Sequence, residues 1–134
     1  MDKLGYISGD LVYIHGSLRI INNCDGYYAT YYDEDEILQE IDVNIIEGIP
    51  LTKEILEKNG WKLHKYHKRN SHDTVSWSSY HKPEEANISL RFYPEEKAFF
   101  LFLYTQEISE TPIRYVHQFQ HILWALDNNV NFKI

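Results

Sequence analysis

The stretch 111–126 constrains the fold most, because it is the longest run in the chain with a clean helical period. Val116, Phe119, Leu123 and Leu126 recur at spacings of three, four and three. Tyr115 and Ile122 widen that stripe, so one broad helix face is apolar and needs a partner to bury it. Thr111 is placed to cap the helix, and Pro112 suits the first helical position, where a missing N–H costs nothing. Asp127, Asn128 and Asn129 supply a stop, since Asn tolerates the left-handed conformation that ends helices. Residues 130–134 then alternate as a short terminal strand does. Burial of Val116, Phe119, Leu123 and Leu126 is the expectation.

On the flank away from the stripe lie His117 and His121, one turn apart, with Arg114, Gln118 and Ala125. Histidines at i and i+4 can hold one metal ion, and this pair is the metal candidate of the chain. Hydrolytic zinc helices place Glu directly after the first His. Gln118 stands there and cannot act as a general base, so the competing reading is a solvated or hydrogen-bonded polar flank.

At 134 residues the chain fits one compact domain or two very small ones. A hydrophobic share of 43% is enough for a packed core. No apolar run reaches the ~20 residues that span a bilayer. Residues 1–5 lack the charged-then-apolar order of a signal peptide. Cys24 is alone, so no internal disulfide forms and a cytoplasmic location is expected. Thirteen basic against 20 acidic residues leave a net charge of −7, which argues against general nucleic-acid binding and favours a basic partner. Eleven Tyr fit half-exposed strands, and Tyr is also common at recognition surfaces.

Residues 1–49 read as short strands with Gly-centred turns. Gly16-Ser17 is the expected two-residue hairpin turn, and Asp25-Gly26 is a second turn ahead of the Tyr-rich run 27–32. Ile41, Val43 and Ile45 alternate in the next predicted strand. Between these strands the run Asp33-Glu34-Asp35-Glu36 reads as a solvated loop, because it lacks the alternating oxygen ligands, central Gly and distal Glu of a calcium loop. Such a series of strands, opening Gly-Asp-Leu-Val, suggests a small SH3-like β unit, a likeness of fold that says nothing of activity. After Gly48-Ile49-Pro50, Thr52 can cap a short helix that Asn59-Gly60 ends. From Trp61 the pattern is β again, with candidate strands over 61–67, 74–80, 87–93 and 98–104. The last is apolar on both faces and is placed centrally in an antiparallel sheet, with the C-terminal helix covering one face.

The segment 61–72 is the basic stretch of an acidic chain. Lys65, Lys68 and Arg69 interleave there with Trp61 and Tyr66, a combination that can contact phosphate and stack on bases, or simply form the charged outer side of a hairpin. No nucleophile motif and no Gly-rich phosphate loop is present, so no cofactor is called for.

Two segments carry a resemblance. Residues 49–61, Ile-Pro-Leu-Thr-Lys-Glu-Ile-Leu-Glu-Lys-Asn-Gly-Trp, resemble an "IPLT-EIL-KNGF" pattern. Residues 113–126, Ile-Arg-Tyr-Val-His-Gln-Phe-Gln-His-Ile-Leu-Trp-Ala-Leu, resemble a "YVHQLQNLYFAL" pattern. Both occur in this order in a family of small uncharacterised bacterial and bacteriophage proteins, for which no activity carries over. His121 stands where that pattern has Asn, which sets the histidine pair apart from the family's shared features.

The expectation is therefore an α+β fold. It consists of an SH3-like β unit over 1–49, then 50–134 with a short helix and an antiparallel sheet covered by the C-terminal helix, the two forming one compact domain. The expected function is non-catalytic binding of another protein by an accessory protein of phage or mobile-element type. The alternative is nucleic-acid contact through the 61–72 hairpin, and a metal-dependent enzyme built on His117 and His121 ranks third.

Overall fold

The structure is a computed structural model that describes residues 5–68, 75–83, 85–104, 106–109, 111–126 and 132–134. It is α+β, with antiparallel sheets and, among the described residues, two α-helices. The chain divides into two compact units. Unit 1 takes Met1–Pro50 and Tyr115–Asn129, and unit 2 takes Leu51–Arg114 and Val130–Ile134.

Unit 1 begins with β1 (Leu11–Ile14) and β2 (Ser17–Ile20). Their register, Ile14 opposite Ser17, puts the turn at His15 and Gly16, one residue before the expected pair. Both have positive φ, 51° and 79°, as the tight turn of a twisted hairpin requires. β3 (Asn23–Cys24), β4 (Tyr28–Tyr32) and β5 (Leu38–Asp42) form a second antiparallel sheet. Asp25 closes the β3–β4 turn by accepting from the N–H groups of Tyr27 and Tyr28, both at 2.8 Å. The predicted strand through Val43 and Ile45 is interrupted: Asp42 caps a single 3-10 turn, Val43–Ile45, by accepting from Asn44 N–H. β6 (Ile46–Gly48) then returns to pair with β1, giving the order β2-β1-β6. Tyr6, Val12, Ile14, Ile21, Ala29, Tyr31, Val43 and Ile46 share one buried cluster. This arrangement is compatible with an SH3-like unit.

α2 (Val116–Ala125) also belongs to unit 1, where it packs on β1. Within unit 1 the helix finds a partner for its apolar stripe in the N-terminal strands. Val116, Phe119 and Leu123 are buried as the apolar stripe requires, but Leu126 is exposed, because it stands at the C-cap beyond the last turn. The helix starts four residues later than Pro112 suggests. In unit 2 Ile113 exchanges both backbone hydrogen bonds with Phe99 at 2.8 Å, and Arg114 C=O accepts from Leu51 N–H. A residue before proline favours extended backbone, so Thr111-Pro112 fits that strand-like run better than a cap. Tyr115 becomes the N-cap, its N–H donating to Gln118 Oε1 at 3.0 Å.

Unit 2 opens with α1 (Lys53–Lys58), capped as expected by Thr52, whose Oγ1 accepts from Ile55 N–H. Gly60, at φ 89°, ends it. β7 (Lys62–Lys68), β8 (Val75–Lys82), β9 (Glu85–Tyr93), β10 (Ala98–Leu103) and a short β11 (Gln106–Glu107) form one sheet in the order β11-β10-β9-β8-β7. One face holds Tyr80, Leu90 and Leu101 in cross-strand register, with Phe92 opposite Phe99. Thr52 and Lys53 share a groove of about 290 Å³ with Tyr80, Phe92 and Phe99, so the start of α1 lies on that face. Buried Ser109 donates no strand pairing but its Oγ accepts from Leu101 N–H, satisfying β10 where β11 has ended. At the C-terminal end Phe132 is buried, and the Asn59 side chain holds Lys133 by accepting from its N–H and donating to its C=O. Residues 132–134 carry no strand, while 130–131 of the expected strand and the expected helix stop at 127–129 lie outside the described residues.

Candidate functional site

Two polar side chains of α2, His117 and Gln120, are buried. His117 is fully buried, its ring 4.8 Å from that of Tyr6 and 5.7 Å from that of His121. His121 Nε2 lies 2.7 Å from Oδ1 of Asp10, a carboxylate with no exposed surface. The other carboxylate oxygen of Asp10 accepts from Ile7 N–H at 2.8 Å. Gln120, also buried, accepts from Leu11 N–H at 3.0 Å through its side-chain oxygen. Buried polar groups cost free energy unless hydrogen-bonded, and here Asp10 and Gln120 satisfy backbone groups of the segment leading into β1. Among the described residues no three His, Cys, Asp or Glu side chains come together as a metal site would need. Of the histidine pair, read from sequence as a metal candidate, His117 lies against Tyr6 and His121 meets Asp10. Asp10 as the partner of His121 was not visible in the sequence, since 111 residues separate them.

The outward surface of unit 1 is different in kind. On β4 the side chains alternate, with Ala29 and Tyr31 buried and Tyr28 and Tyr32 exposed at 51% and 55%. In the ladder with β5, Tyr28 stands opposite Asp42, Thr30 opposite Glu40 and Tyr32 opposite Leu38. Tyrosine and carboxylate therefore share one sheet face, and Tyr27, in the turn before β4, is 76% exposed. Tyr32 also lines a groove of about 600 Å³ with Leu18, Arg19, Ile20 and Ile21. Beside it runs the acidic loop, where Arg19 pairs with Glu34 and Asp33 accepts from the N–H groups of Asp35 and Ile37 and from Gln39 Nε2.

These loops are ordered by their carboxylates. Hydrogen bonds from Ile37 N–H and then the Gln39 amide hold the Asp33 carboxyl below its ordinary 3.8, and those from Tyr28 and Tyr27 do so for Asp25. A folded-state pKa below the unfolded one favours folding above the unfolded value, and that contribution is lost as pH falls through the folded value. NMR titration of the side-chain carboxyl carbons is expected to give midpoints below 3.8 for both residues. Midpoints at or above that value would contradict these turns.

Charge separates the units. Unit 1 holds 11 Asp and Glu against 2 Lys and Arg, a formal −9, while unit 2 holds 9 against 11, a formal +2. The acidity of the chain is thus the property of one unit.

The basic stretch of unit 2 is distributed as follows. Trp61 is 1% exposed and forms part of the core, so its ring cannot stack on a base without opening that core. Lys65, Tyr66 and Lys68 lie on β7, an edge strand, with Lys65 opposite Ser79 and Tyr66 opposite Ser78. Arg69 and the polar loop through Asp73 lie outside the described residues. Among the described residues no helix is long and apolar enough to cross a membrane. Comparison with family models, curated proteins and solved structures found no match.

Proposed function

We propose that this chain is a non-catalytic accessory protein that binds another, basic protein through the outer face of β4 and β5. The observation that carries this reading is the cross-strand ladder of exposed Tyr28 and Tyr32 against Asp42, Glu40 and Leu38 on the unit with net charge −9. Tyr offers a large apolar surface at low entropic cost, and aromatic residues dominate the binding energy of many interfaces. Carboxylates beside it steer a cationic partner and add affinity that salt screens. The resemblance over residues 49–61 and 113–126 supports a phage or mobile-element origin, with action in the cytoplasm of a bacterial or phage-infected cell.

Capture from host extract by the unmodified protein and by a Tyr27→Ser/Tyr28→Ser/Tyr32→Ser variant tests the reading. A protein retained by the first and lost by the second is expected. Raising ionic strength from about 0.1 M to about 1 M, which shortens the screening length from ~10 Å to ~3 Å, should release it. Equal retention by both proteins, or retention indifferent to salt, would contradict the reading.

A further inference from the structure

The second face of the five-stranded sheet has a chemistry that the reading above does not use. Ser79, Arg91 and Phe100 stand side by side across β8, β9 and β10, and Ser89 and Phe102 form the next cross-strand pair. The guanidinium of Arg91 lies 4.3 Å from the centre of the Trp77 ring and 3.9 Å from that of Phe102. Among the described residues no carboxylate pairs with it. Two aromatic rings thus lie against this cation, and an arginine placed so keeps its N–H donors as the groups a ligand would meet.

We infer that this face binds a nucleotide unit of single-stranded nucleic acid, with a phosphate on the edge of Arg91 and a base against the neighbouring rings. A rigid, planar fork of N–H donors matches a phosphate in two-point contact, and holding it in place beforehand removes the entropy cost of ordering it. Tyr93 and Phe100, half-buried with ring centres 5.3 Å apart, add flat apolar surface on the same side. Stacking on such rings is tolerant of sequence. The edge strand adds positive charge: exposed Lys62 stands opposite His81. Among the described side chains, the carboxylate in register with this face is Glu107, opposite Phe102 at the margin on β11. A carboxylate ligand would also suit Arg91, but it would leave the rings without a role. The site is independent of the acidic face of unit 1, so either can fail without the other. Nucleic-acid contact thereby moves from a hairpin containing buried Trp61 to a sheet face centred on Arg91.

Fluorescence anisotropy with a labelled oligothymidylate of about 12 nucleotides tests the site on the full chain. Binding that weakens with salt is expected, with about a tenfold loss in Arg91→Gln. Arg91→Lys, which keeps the charge and loses the fork, should fall between the two. NMR of the unmodified protein supplies a readout free of any folding defect: the Trp77 indole N–H signal should shift on titration with the oligonucleotide. Parallel titrations with thymidine monophosphate and with polyglutamate separate the sources. Comparable binding of the mononucleotide assigns the site to a free nucleotide, and tighter binding of the oligonucleotide assigns it to a strand. Binding of polyglutamate alone, an unmoved Trp77 signal, or an Arg91→Gln protein that binds the oligonucleotide as well as the original overturns the inference.

Discussion

Truncating Phe119 to Ala is expected to cost about 3–5 kcal/mol of folding stability, read from urea unfolding at fixed pH. The side chain is fully buried on α2, between Val116 and Leu123 in the apolar stripe, both of which are also buried. Removing a phenyl ring from such a site loses its transfer free energy and leaves a cavity that fixed neighbours fill only in part. Folded domains have stabilities of about 5–15 kcal/mol, so the variant should be close to unfolded at moderate temperature. Leu126→Ala supplies the contrast. It lies on the same predicted stripe but is exposed, and its loss should be a few tenths of a kcal/mol. Equal costs at both positions would show that the helix is rotated from the orientation described.

Asp10→Ala should be the second large effect, on the order of 3 kcal/mol. The carboxylate is wholly buried and accepts from Ile7 N–H and His121 Nε2 at 2.8 and 2.7 Å. Alanine strands both donors, and a donor left unpaired in the interior costs its full desolvation. Asp10→Asn keeps a side-chain oxygen for Ile7 N–H and offers an amide to the imidazole, so it should lose less than half as much. A near-neutral Asp10→Ala would show that water replaces the carboxylate and that the Asp10–His121 contact contributes little.

The period of α2 could be read because helix spacing is a local property: Val116, Phe119 and Leu123 announce a face whatever they pack against. What they pack against is not local. What marks the contact of α2 with β1, Asp10 with His121 and Leu11 N–H with Gln120, joins residues 111 and 109 apart. The start of the helix was obscured by Thr111-Pro112, a pair that serves a helix cap or an extended run equally well. Caps with one strong local signal, Thr52 before α1 and Gly60 after it, stood where expected. The 3-10 turn at Val43 was hidden by an alternation of apolar residues that fits a strand. Alternation in the Tyr-rich strand was legible, but the carboxylates opposite Tyr28 and Thr30 depend on register, which only the β4–β5 pairing fixes. Arg91 carried no sequence signal at all, since Trp77 and Phe102 reach it from two other strands.

Hydrogen exchange measured on the protein alone and then saturated with its captured partner tests the proposed binding face most directly. Slowed exchange is expected across Tyr28–Tyr32 and Leu38–Asp42, with the amides of α2 unchanged because they are already protected. Protection confined to unit 2, with Tyr28–Tyr32 exchanging as fast as in the free protein, would contradict the account.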